Sequence, residues 1–281
     1  MTVSDKEFQQ KRLKFLDAMS RYTKQDTAVA FSGGADSSLI LKAACEEAER
    51  YGSRVYAVTM QTELHTAGDL KTAEEVAAET GAYHIVLQID ELQEAGIEMN
   101  PENRCYLCKK LLFTRLRERV QLLGIHTILE GTNADDLKVY RPGIKAVEEL
   151  GIISPLKDAG FTKQEVRRMA SQYGISVAER PAAPCMATRF PYGTRLTREK
   201  MKTAAQGEAY IRTLGFYDVR LRVQDDLVRI EVDQDRLGQV LEYSKEITDY
   251  LHMLGYRYVT LDLEGFRSGS MDLKLKGKGV L

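Results

Sequence analysis

The chain has 281 residues, 43% of them hydrophobic and 29% charged, with a net charge of −1. That size suits one large or two ordinary domains of a globular protein, and the balanced charge excludes an overall basic field for nucleic acid. The N-terminal stretch MTVSDKEFQQKRLKFLDAM lacks the apolar core of a signal peptide, and no later run is long enough to cross a membrane. The expected compartment is therefore the cytoplasm, with no membrane and no nucleic-acid partner. In chain order, residues 26–31 (DTAVAF) form a short apolar run that stops at glycines and reads as a buried strand. Helical spacing follows to Gly52. Residues 54–60, 83–89 and 126–131 predict further strands. Residues 69–81 and a segment from the cysteines to Gly124 predict helices between them. Strands alternating with helices of this length imply right-handed crossovers and a parallel sheet covered on both faces, an α/β fold.

Thr162 and Glu165 have capping-box spacing at the start of a helix that closes at Gly174. Residues 179–195 (ERPAAPCMATRFPYGTR) hold three of the six prolines and predict a linker or loop that carries chemistry. The pattern then changes: a helix over 198–214, two strands at 217–223 and 227–232 joined through QDD, a long helix ending near Gly255, and a strand over 256–263. This is a smaller α+β domain. The expected division is a nucleotide domain over 1–180, a cysteine-bearing loop over 181–196 and an α+β substrate domain over 197–281.

The first strand runs into SGGADSS, Ser32 to Ser38. Gly33 and Gly34 allow a tight turn with bare backbone N–H groups, at the positive end of the next helix. Ser32, Ser37 and Ser38 add hydroxyl donors, and Asp36 can hold Mg²⁺ or orient the loop. No G-K-[ST] follows, so this is not a Walker loop. The fourth strand ends in EGTNADD, where Asn133, Asp135 and Asp136 can bind a nucleotide, hold a metal, or simply form a polar Asx turn. The S-G-G-x-D-S loop resembles the PP-loop of the N-type ATP pyrophosphatases, a group that includes GMP synthetase, NAD synthetase, argininosuccinate synthetase and tRNA thiolases. The resemblance implies ATP and Mg²⁺, adenylation of a substrate oxygen, and release of pyrophosphate.

Four cysteines remain to be assigned. Cys45 lies within an apolar helix and reads as core packing. Cys105 and Cys108 form a C-x-x-C pair, and Cys185 sits in the proline-rich loop. No histidine lies near either segment, so a zinc site would have to recruit one from a distance. Three thiolates suit a [4Fe–4S] cluster with one iron open; structural zinc and unconnected cysteines stay as alternatives.

The ordered series SGGADSS, GTNADD, PAAPCMATRFPYG, DVRLRV, VRIEV and GFRSGSMD spans nearly the whole chain and resembles the LarE-type ATP-dependent sulfur transferases of nickel-pincer nucleotide cofactor synthesis. That resemblance implies a small-molecule nucleotide substrate, a pyridinium biscarboxylic mononucleotide whose carboxylate is adenylated and then converted to a thiocarboxylate. It implies a homo-oligomer, a hexamer by precedent. The family contains two sulfur chemistries. In one, the cysteine matching Cys185 gives up its own sulfur; in the other, three cysteines hold a [4Fe–4S] cluster that carries sulfide. Cys105 and Cys108 place the expectation in the second group, with Cys185 completing the set. Asp36, Asp136 and Cys185 are then the candidate catalytic residues. Arg220, Arg222 and Arg267 are expected to grip the substrate phosphate, and Glu208 and Glu231 match acidic positions near the site, candidates for a metal. Arg229 and Glu231 are expected to point outward from their strand. The rival readings are a tRNA thiolase, an amidotransferase-type synthetase and a non-catalytic nucleotide or metal carrier. Missing RNA-binding and glutaminase segments argue against the first two. ATP-dependent pyrophosphate release separates an enzyme from the third.

Overall fold

The computed structural model describes residues 3–65, 67–139, 141–180 and 184–267. Among them the chain divides into two compact units, one within 1–97 and 103–182, the other within 98–102 and 183–281. No helix among the described residues is long and apolar enough to cross a membrane.

The first unit is built on a four-stranded parallel sheet of order β3-β2-β1-β4, formed by β1 (Thr27–Ala30), β2 (Val55–Gln61), β3 (Tyr83–Gln88) and β4 (Thr127–Leu129). Helix α1 (Val3–Tyr22) precedes it; α2 (Ala35–Glu49), α3 (Ala67–Thr80), and α4 (Glu91–Glu94) with α5 (Arg104–Gln121) fill the crossovers. A 3-10 turn (Ala134–Lys138), α6 (Gly143–Glu149), α7 (Pro155–Ala159) and α8 (Lys163–Gln172) follow β4. Alternation along β1 and β2 divides the apolar residues between two faces. Val29, Phe31, Val55 and Ala57 join one core with Phe8, Leu39 and Phe161, while Ala28, Ala30, Tyr56 and Val58 join a second with Phe113 and Leu116. Burial on both faces explains why these strands read as continuous apolar runs.

Helix α1 has no counterpart among the predicted elements. Its Phe8, Phe15 and Met19 are buried, and Phe8 and Phe15 meet the ring of Phe161 with centroids 6.1 and 5.5 Å away. Charged residues interleave these few apolar ones, so the sequence carried only a faint helical signal.

The second unit holds α9 (Arg198–Thr213), β5 (Arg220–Gln224), β6 (Leu227–Glu231), α10 (Leu237–Glu242), α11 (Ser244–Met253) and β7 (Tyr258–Leu261). Its sheet has order β5-β6-β7, with β5 antiparallel and β7 parallel to β6. The long helix predicted to end near Gly255 is instead a 3-10 turn (Gln234–Arg236) and two helices that meet at Tyr243. Apolar periodicity continues across the break, so it gave no signal. Glu231 corrects another expectation: it does not point to solvent but is 1% exposed. Arg222 and Arg229 reach it at 2.8 and 3.1 Å and make that burial tolerable. Residues 98–102 belong to this unit through Asn100, which is fully buried at φ 46° and donates its side-chain amide to the carbonyls of Phe190 (3.0 Å) and Pro191 (2.9 Å).

Candidate active site

Connections from β1 lead outward through β2 to β3, and the chain then returns to add β4 on the other side of β1. The strand order therefore reverses between β1 and β4, and ligands of open parallel sheets bind in the crevice beyond such a reversal. The predicted loop and the EGTNADD segment both lie there.

Gly33 has φ +70°, and a Cβ on it would meet the backbone of Ala73 at 3.0 Å, so only glycine fits. Gly34 differs from expectation. It is the N-cap of α2 at φ −90°, ψ 163°, ordinary extended backbone, and an added Cβ would meet only Ser32 Oγ at 3.5 Å. The first turn of α2, which starts after its N-cap Gly34, leaves its N–H groups without intrahelical partners at this end of the sheet. Ser32 and Ser37 hydroxyls lie 3.2 Å apart, and Ser37 Oγ donates to the Gly34 carbonyl at 3.2 Å. Ser38 Oγ is buried with no hydrogen-bond partner among the described residues. The loop is thus a set of donors gathered at a helix N-terminus, a fit for phosphate oxygens.

Asp36 accepts from Asn133 Nδ2 at 3.2 Å and forms an ion pair with Lys163. Lys163 carries no motif signal and was not among the predicted site residues; only the pairing of α8 with the loop brings it in. Gly131 permits the close approach of the two segments, since a Cβ there would meet Asp36 Cβ at 3.1 Å and Ser37 N at 3.2 Å. Asn133 and Asp136 form a reciprocal cap on the 3-10 turn, so the Asx-turn reading holds for their backbone contacts. Asp136 also pairs with Arg141 at 2.9 Å. Asp135 accepts from Lys163 N and Lys138 Nζ, each at 2.8 Å, and the Lys138 bond followed by the Lys163 N–H holds its pKa below the ordinary value.

Cys105 and Cys108 are half-buried, outside any disulfide, on the first turns of α5, three apart and so on one helix face. The next residue, Lys109, reaches Glu130 at 3.8 Å. Glu130 is itself buried at the end of β4, accepting from Thr132 N at 2.9 Å and from Ser154 Oγ. The cysteine helix is thereby tied to the same edge of the sheet as the phosphate loop. Cys45 packs against the core, and burial raises its thiol pKa to about 11. Among the described residues, no group of three or more His, Cys, Asp or Glu side chains is arranged to hold a metal ion.

In the second unit, Cys185 is half-buried and outside any disulfide, at the N-cap position of the 3-10 turn Met186–Arg189 with no capping bond from its thiol. Arg220 and Arg222 lie on one face of β5 as alternation predicts. Arg220 is 5% exposed and stacks over the Phe266 ring at 5.1 Å; burial, then the charge of Arg189, lowers its pKa. Arg222 is oriented by Glu231 and donates to the Thr188 carbonyl at 2.6 Å. Arg267 pairs with Glu264 at 2.7 Å. Glu208 is 2% exposed and surrounded by arginines. The expected motif residues 181–183 and 268–272 lie outside the described residues.

The Asparagine synthase family model matches residues 12–99, the segment that contains the phosphate loop. A pyridinium-3,5-bisthiocarboxylic acid mononucleotide synthase of Lactiplantibacillus plantarum is 39% identical over 88% of this chain and 89% of its own length. The chain belongs to the LarE family. An uncharacterized protein of Synechocystis sp. is 37% identical over 87% of this chain and 91% of its own, and a GMP synthase of Aeropyrum pernix is 25% identical over 65% of this chain. This LarE-family protein is therefore an ATP-dependent sulfurtransferase with an α/β ATP-pyrophosphatase unit.

Proposed function

We propose that this enzyme uses ATP and Mg²⁺ to adenylate a carboxylate of a pyridinium biscarboxylic acid mononucleotide, and then replaces the adenylate by sulfur. One observation carries the reading: the 39% identity, across most of both chains, to a synthase named for the bisthiocarboxylic product. In the first step a carboxylate oxygen attacks the α-phosphorus and the bond to pyrophosphate breaks. Negative charge then grows on the leaving group. The N–H donors of α2, Ser32, Ser37 and Lys163 stabilise it most in the transition state. Asp36 and Asp136 are the carboxylates proposed to hold Mg²⁺ or to set these donors. In the second step sulfide attacks the acyl carbon and AMP departs. Carboxylate, ATP and sulfide thus become thiocarboxylate, AMP and pyrophosphate. Arg220, Arg222 and Arg267 are proposed to hold the substrate phosphate, a task suited to the guanidinium fork.

Cys105, Cys108 and Cys185 would hold a [4Fe–4S] cluster, which when bound supplies a replaceable sulfide. The donor chemistry fits: none of the three is in a disulfide, and thiolates are the ligands of such clusters. The proposal includes a homo-oligomer, read by sedimentation. The deciding experiment is anaerobic purification with iron and acid-labile sulfide analysis, followed by turnover with added sulfide. Replacing Cys105, Cys108 or Cys185 by Ala should remove the brown absorbance and thiolation while ATP binding persists, and Cys45→Ala should change neither. A metal-free protein that transfers sulfur once and leaves dehydroalanine at position 185 would show that the cysteine is the donor. Zinc at all three positions would make the site structural.

A further inference from the structure

We propose that Arg189, anchored by Glu208, is the positioning residue for Cys185, and that its guanidinium fixes the peptide groups on both sides of that cysteine. The inference rests on the reading of Cys185 as the residue that presents sulfur or its carrier, and it holds for either sulfur chemistry. It begins from an unusual burial. Arg189 is 4% exposed and Glu208 2%, and a buried ion pair returns little net stability for its desolvation. The geometry accounts for its presence. Nε and Nη2 of Arg189 fork onto Glu208 at 2.8 and 2.9 Å. The remaining Nη1 turns back along the chain and donates to the carbonyl of Pro184 at 2.9 Å and to Thr188 Oγ1 at 3.0 Å, with the Cys185 carbonyl at 3.4 Å.

The Cys185 carbonyl also accepts from Thr188 N at 3.1 Å and Thr188 Oγ1 at 2.9 Å. The carbonyls before and after the cysteine Cα are thus both tethered, leaving χ1 as the torsion that sets the position of Sγ. Glu208 is held in turn by Leu221 N at 3.1 Å and by Arg212 at 3.0 Å. A chain of contacts runs from the sheet through Glu208 and Arg189 to the cysteine. Asn100 grips the carbonyls of the same segment two and more residues further on, so the turn is fixed at both ends. A guanidinium, with five donors, can fork onto both carboxylate oxygens and serve two neighbouring acceptors as well; an ammonium has three donors and no planar fork. On this reading Glu208 acts as the counter-ion of a positioning arginine, not as a metal ligand.

The test uses full-length protein stripped of metal, comparing the wild type with Arg189→Lys and with the paired variant Arg189→Met/Glu208→Gln. The paired variant removes both charges of the Arg189–Glu208 pair together, and Arg212, which also loses its carboxylate, is partly exposed and can be hydrated, so it keeps a folded protein available if the first does not fold. The probe is iodoacetamide, with alkylation rates at each cysteine followed by peptide mass spectrometry across pH. Cys185 should change at least tenfold in rate, while Cys105 and Cys108 stay within twofold. In Arg189→Lys, sulfur transfer should fall at least tenfold in kcat, with ATP affinity within twofold of wild type. Unchanged Cys185 alkylation in a folded variant would overturn the proposal, even if transfer were lost. Equal acceleration at all cysteines would also overturn it, because the pair would then be serving general stability. If the wild type itself transfers no sulfur, the proposed function has failed, and the alkylation rates still judge the positioning role.

Discussion

Lys163 places its ammonium against Asp36, the carboxylate of the phosphate loop, with both side chains about a quarter to a third exposed. On the proposed mechanism, a cation held there would lie close to the charge that a leaving pyrophosphate develops. Lys163→Met should reduce ATP-dependent pyrophosphate release by about 10–100-fold, the scale of roughly 1.5–3 kcal/mol for a charge-assisted hydrogen bond. The melting curve should shift little, since a partly exposed pair adds little stability. Unchanged release would reduce Lys163 to a salt-bridge partner. The loop itself was legible because glycine, aspartate and serine in that order, between a strand and a helix, announce a phosphate turn without any knowledge of the fold. Lys163 was not, because its role depends on a contact 127 positions away in sequence. Arg189 and Asn100 escaped for the same reason. An isolated arginine or asparagine in a loop has no local pattern that marks the carbonyls it will meet.

At the scale of elements, the start of α8 shows how a local signal and a site come together. The predicted capping box is present: Thr162 Oγ1 accepts from Glu165 N at 3.3 Å, and Glu165 Oε2 accepts from Thr162 N at 2.8 Å. Lys11 of α1 adds an ion pair to Glu165 at 2.9 Å. Burial opposes ionisation of Glu165, but the Thr162 and Lys11 bonds outweigh it and its pKa is lowered. Thr162→Ala should cost about 1 kcal/mol, seen as a lower thermal midpoint. Because Lys163 is the first residue of this helix, the same variant should raise the KM for ATP. A lower midpoint with KM unchanged would mean that the cap serves the helix alone. Other elements were harder to read. The break between α10 and α11 interrupts an apolar stripe without a proline or glycine at the break.

For the whole molecule, acid stability follows from its buried carboxylates. Burial would raise the pKa of Glu208, yet the Arg189 bond and charge, the Leu221 N–H and Arg212 together leave it lowered. A depressed folded pKa means stability that is fully present above the unfolded glutamate value of about 4.3 and lost as pH falls through the lower folded value. Urea midpoints of the wild type should therefore decline below about pH 4.3. Glu208→Gln, which has no proton to take up, should show a shallower decline. An identical slope in both proteins would remove Glu208 from the acid response. At this scale the division of labour between sequence and structure is clear. Apolar runs, helical spacing and the glycine loop by themselves determined an α/β fold with a parallel sheet, because these signals arise from contacts between near neighbours and from backbone limits on glycine. Only the tertiary structure decided that β4 returns beside β1 to open the crevice, that Lys163 meets Asp36, and that Glu208 and Glu231 turn inward to arginines. The reason is physical. A charged side chain reads as solvent-facing until a distant partner makes its burial affordable, and that partner is chosen by packing across the fold, not by spacing along the chain.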